Sequence, residues 1–179
     1  MTTTAYFKPT PQEHAFWRYV SLAMQTGGFT LPENVYYAEQ PAPSPGPLFV
    51  TITPISDTGY GMGWRGTGID PDTSEIKDFH EQVHYATFSV TANGESTRSA
   101  HAAMVKLSQY YRLGKIVEFN EANGIKIIGD SAIQNVTIGD RNQWLSRYNA
   151  TYEITYTTVD SVSQDALTEM VLTTEIETD

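Results

Sequence analysis

The chain has 179 residues, enough for one domain with a sizeable core. Hydrophobic residues make up 40% and charged residues 18%, which excludes an intrinsically disordered chain; the lack of cysteine excludes disulfides, thiolate zinc sites and a cysteine nucleophile. The net charge of −10 is unevenly placed: no Lys or Arg follows Arg147, whereas Glu153, Asp160, Asp165, Glu169, Glu175, Glu177 and Asp179 do, and so acidic a segment repels phosphate.

Residues Met1 to Lys8 lack the apolar run of a secretory signal, and no stretch reads as a membrane span. The missing cysteines fit assembly in a reducing cytoplasm. The first element is a helix. Thr10 can cap it, Pro11 suits its first position, and Glu13 completes a capping box. Phe16, Val20, Ala23 and Met24 then recur at helical spacing, with Trp17 at the rim, and Gly27-Gly28 end it. Val35 to Ala38 reads as a short strand. Residues 40–47 carry four prolines and form a stiff connector.

Leu48 to Ile55 alternates as a strand. Residues 57–79 are rich in Gly and Asp and show little periodicity, so they read as a long loop, an extended hairpin or an arm. His84 to Ala92 is the clearest strand, with Ala86, Phe88 and Val90 on one side, and Asn93-Gly94 makes a turn. Ser96 can cap a second helix whose buried stripe is Ala100, Ala103, Met104, Leu107 and Tyr111, ending at Gly114. Ile125–Ile128 and Ala132–Val136 suggest two short strands. A long strand runs from about Ser146 to Val159, Asp160 to Asp165 turns the chain, and a last strand covers about Leu167 to Ile176.

The search for chemistry returns little. His80 and His84 share one side of a strand, but a metal needs further ligands and Glu81 points away. Neither His14 nor His101 belongs to a motif. Asp70-Pro-Asp72-Thr-Ser-Glu75 lacks the central Gly and third acid of a calcium loop. Gly59 to Gly66 lacks the Lys-Ser/Thr end and following helix of a phosphate loop. No serine occupies a nucleophile elbow. Arg141 and Arg147 around Trp144 are too few for a nucleic-acid stripe. A hydrolase or metal-dependent enzyme would rest on scattered His and carboxylates alone, so no enzyme activity, cofactor or metal is expected.

From His84 onward the order of elements resembles phage tail terminator and neck terminator proteins. The pieces are His84 to Gly94, the helix around Ala100 to Leu107, Ile125 to Val136, Trp144-Leu-Ser-Arg147-Tyr148, the strand Ala150 to Tyr156 and a returning C-terminal strand. The resemblance implies a single domain over 1–179 of α/β (α+β) class, with a mainly antiparallel sheet, helices packed on one face and a long C-terminal β-hairpin. It implies a structural virion protein: a homo-oligomeric ring, six subunits in the usual case, that terminates the tail tube or sheath and joins it to head-neck connector proteins. Genome DNA would pass through without tight binding, with Glu153, Asp160, Asp165 and Glu169 as candidates to face the lumen. A closed ring needs two complementary patches per subunit. Tyr36, Tyr37, Trp64, Trp144, Arg147, Tyr148, Tyr152 and Tyr156 are the candidate contacts, because aromatic and Arg side chains dominate such interfaces. The alternatives are another neck or head-completion protein, or a tail tube subunit.

Overall fold

A computed structural model describes residues 10–28, 34–38, 47–70, 72–111, 118–119, 122–140 and 143–163. The element order is α1 (Pro11–Thr26), β1 (Val35–Tyr37), β2 (Leu48–Ile69), β3 (Ile76–Gly94), α2 (Thr97–Tyr111), β4 (Ile125–Asp130), β5 (Gln134–Asn135), β6 (Ile138–Asp140) and β7 (Gln143–Ser163). The class is α+β, with a seven-stranded, mostly antiparallel sheet and strand order β1-β2-β3-β7-β4; β5 and β6 also pair with β7. The chain divides into two compact units. Unit 1 comprises Met1–Asp57 and Tyr85–Tyr156; unit 2 comprises Thr58–His84 and Thr157–Asp179.

In unit 1 the capping box forms as read. The Glu13 amide donates to Thr10 Oγ1 at 3.2 Å, and the Thr10 amide donates to Glu13 Oε2 at 2.6 Å. The helix ends at Gly27, and Gly28 takes a left-handed φ of 69°, which only glycine adopts freely. The buried side of α1 presents Ala15, Phe16, Tyr19, Val20, Ala23 and Met24. Phe16 stacks on Phe88 of β3 at 4.6 Å and meets Tyr152 of β7 at 5.9 Å. Two hydrogen bonds tie the same helix to the sheet edge: Trp17 Nε1 to Val35 O at 2.8 Å, and the Tyr37 hydroxyl to Glu13 O at 2.5 Å.

Helix α2 packs on the same sheet face. Ser96 caps it, accepting from the Ser99 amide at 3.1 Å. Thr97 Oγ1 lies 3.0 Å from Ser146 Oγ of β7, and Ser108 Oγ donates to Asp130 Oδ2 of β4 at 2.5 Å. Its buried stripe is Ala100, Ala103, Met104, Leu107 and Tyr110. Tyr110, which follows Leu107 by three residues, lies on the stripe; the side chain of the expected last member, Tyr111, is outside the described set. The other sheet face is polar. There Asn149 Nδ2 donates to Ser89 Oγ at 2.5 Å and to Thr91 Oγ1 at 2.9 Å, which bridges β7 and β3.

Several boundaries move. Residues 57–69 and 76–79 are strand, so the extended-hairpin alternative holds over them. Glycine at 59, 61, 63, 66 and 68 leaves no side-chain alternation to read, while the backbone ladder needs none. The expected strand 132–136 shortens to Gln134–Asn135. Residues 160–163, expected to begin a turn, continue β7, and the rest of that expected turn lies outside the described residues. The last strand, 167–176, and with it the return half of the C-terminal hairpin, lies outside the described residues. So do the 40–46 part of the Pro-rich connector and Gly114.

Tyr152 is 0% exposed, and among the described residues its hydroxyl has no hydrogen-bond partner. Tyr152→Phe is therefore expected to raise stability by about 1 kcal/mol in urea melts, whereas Tyr152→Ala loses about 3–5 kcal/mol. Burial pushes the Tyr37 and Tyr152 phenols above the ordinary value of 10.0, with the Glu13 and Asp130 charges adding to the effect. A folded-state value raised in this way gives stability that is complete below pH 10 and declines as the unfolded chain loses those protons above it. Absorbance titration should show exposed tyrosines ionising first and these two only together with unfolding.

Candidate functional site

The expected interface residues divide by burial. Tyr37 and Tyr152 lie in the core, 3% and 0% exposed, so neither has a surface with which to meet a neighbour. Tyr156 is 9% exposed, and its hydroxyl is engaged with Asp57. Burial, and then that carboxylate, push its phenol upward. These tyrosines alternate along β1 and β7 on the side that faces the helices, which explains their placement. Tyr36 is partly buried and lies 3.5 Å from Asn34 Oδ1. Tyr148 is packed against the core edge, with His101 5.0 Å away. Arg147 is partly buried, and its Nε lacks a partner. Trp144 pairs with Gly139 through the backbone, and its side chain is outside the described set.

Trp64 is different. It sits in unit 2 and is 62% exposed. Its indole lies against Gly66, where any side chain would collide with it. Three strand segments make up the described part of unit 2: 58–69 of β2, 76–84 of β3 and 157–163 of β7. Thr67 Oγ1 donates to Asp78 Oδ1 at 2.7 Å, and His84 Nε2 lies 3.1 Å from Thr158 Oγ1, so these four side chains share one face. Strand alternation then puts Trp64, Glu81, Val83 and Val159 on the other. Val83 and Val159 are 41% and 62% exposed. Sequence reading missed both valines, although each continues an alternating strand pattern into the next residues.

The polar face of unit 2 borders an open cleft of about 590 Å³ lined by Arg65, Thr67, Asp78, His80, Asp160 and Val162. His80 and His84 fall on this face, yet among the described residues no three His, Asp or Glu side chains gather as metal ligands. At the hairpin tip Asp70 Oδ1 accepts the amides of Asp72 at 2.8 Å and Thr73 at 3.2 Å, and its Oδ2 pairs with Lys77 at 2.5 Å. Asp70 thus organises a turn. In unit 1 a second cleft, about 700 Å³, is lined by apolar Trp17, Leu22, Phe119 and Ala122 together with Tyr110 and Arg18.

Among the described residues, unit 2 holds two basic and six acidic side chains, and unit 1 five and seven. Glu153 and Asp160 are exposed, as acids beside a DNA passage would need to be, while Asp165 and Glu169 lie outside the described residues.

The tip is a direct test of these electrostatics. Hydrogen bonding from Lys77 holds the Asp70 carboxyl below the usual carboxylate range, and the same contact lifts Lys77 above the usual lysine range. The carboxylate's contribution is present above its unfolded value and lost as pH falls through the folded one. The lysine's is present below its unfolded value and lost as pH rises through the folded one. Tip order should therefore hold across the whole interval between those ranges. Asp70→Asn should remove the acid-limb transition in the amide NMR shifts of Asp72 and Thr73.

The described surfaces of unit 2 are exposed apolar strand residues beside acidic ones. No curated protein matches the chain. Residues 13–179 match the family described as phage neck terminator protein. With nearly the whole chain covered, the protein belongs to the phage neck terminator family.

Proposed function

We propose that this protein forms a closed ring of identical subunits at the head-proximal end of the tail, stops growth of the tail tube or sheath, and offers a surface to head-neck connector proteins. The coarser role is settled by family membership: it is a structural component of the phage tail and neck. The observation that carries the finer reading is the match over residues 13–179 to a family of terminators. Two features support it. Unit 2 displays Trp64, Val83 and Val159 to solvent, as a protein that meets partners would. Exposed Glu81 of unit 2 and exposed Arg98 and Lys106 of α2 carry opposite charge, which head-to-tail closure can pair.

The acidity supports a passive relation to DNA. Exposed Glu153 and Asp160, together with Asp165 and Glu169, would line the passage and repel phosphate, so the genome slides without adhering. No helix among the described residues is long and apolar enough to cross a membrane.

Deletion of the gene should leave filled heads unattached to tails, and cryo-imaging of normal necks should place the chain in one closed ring between tube and connector. Assembly of the purified chain into long open tubes would instead favour a tube subunit. A chain found within the head connector would favour a head-completion role.

A further inference from the structure

Helix α2 is the one described element of unit 1 that carries basic side chains and no acidic one. Its inner stripe is consumed by the core. Its outer side presents Arg98, His101, Lys106 and Gln109, all exposed, with partly buried Ala102 and Val105 between them. Positions 98, 102, 105 and 109 follow helical spacing, so this is one continuous face. Its centre is small and apolar, and its flanks are cationic.

The exposed face of unit 2 has the converse character. Trp64, Val83 and Val159 are exposed apolar residues of that face, Glu81 shares it, and among the described residues the unit has six acidic side chains to two basic ones. A helix face with small central residues allows a sheet face close approach, and helix-on-sheet layers are a standard way to bury both. Opposite charge selects this pairing over contact between two like units, where acid would meet acid. Ring closure needs two different patches on every subunit that fit each other, and these two do.

Resting on the ring proposed above, we infer that the Trp64–Val83–Val159 face of one subunit packs on the outer face of α2 in a second copy of the chain, with Glu81 set among Arg98 and Lys106. The occupant of α2 is thus the neighbouring subunit itself. The apolar row provides the buried anchor, and the charges set orientation and reject wrong partners.

The chain has no cysteine, so thiol cross-linking reports introduced positions alone. The full-length double variant Glu81→Cys with Lys106→Cys, assembled into phage particles and treated with a short thiol-reactive cross-linker, should run as a ladder of multimers on a denaturing gel. Each single variant should stay monomeric. So should the pair Glu81→Cys with Arg18→Cys, because Arg18 lies on α1. A charge exchange reads the same contact without cross-linking. Lys106→Glu and Glu81→Lys should each lower the yield of joined particles, and the double variant should recover it. All three positions, Arg18, Glu81 and Lys106, are exposed, so circular dichroism should report an unchanged fold.

Particles whose necks show a closed ring but no ladder overturn this contact and leave the ring standing. Necks with no ring overturn the ring and the contact together. Cross-linking of the Glu81→Cys single variant to itself, or through Arg18→Cys, also overturns the contact, since it would place like surfaces, or α1, at the interface.

Discussion

The structure of unit 1 depends on one aromatic contact, the seating of Phe16 between Phe88 and Tyr152. It joins α1 to the two central strands, β3 and β7. Truncating such a side chain costs about 3–5 kcal/mol, whereas losing the Thr10 cap costs about 1 kcal/mol. The cap sets where α1 begins; the ring contact decides where α1 lies. Once α1 is placed, Tyr37 and Trp17 reach their partners at the sheet edge, and the Tyr19 hydroxyl reaches Leu107 O of α2 at 3.4 Å. The helices then cover one face, and the polar face survives on Ser, Thr and Asn hydrogen bonds between strands.

Unit 2 has no comparable aromatic centre among its described residues. Its exposed apolar side chains and excess acid are costly features for a free protein: the first invite association and the second repel one another. Both become useful when a partner covers the apolar row and supplies cations.

The legible part of the sequence was the part with side-chain periodicity. The α1 capping box, the Ala86-Phe88-Val90 alternation and the Ala100 to Leu107 stripe each state a period and a face. The hairpin arm was illegible because glycines at Gly61 and Gly63, both at positive φ, occupy positions that would otherwise alternate. The aromatic candidates were legible as aromatics but not as surface or core. Tyr37, Tyr152 and Trp64 look alike as bulky strand residues, and only the position of the helices buries the first two.

By itself, then, the sequence determined the α+β class, both ends of α1, the start of α2, the negative charge and its concentration near the C-terminal end, because each is a property of neighbouring residues. Tertiary structure decided which sheet face the helices cover, which tyrosines vanish into the core, and that Trp64, Val83 and Val159 share an exposed surface. Those residues come from three strands as far apart in the chain as β2 and β7, and no local pattern encodes which distant strands will pair.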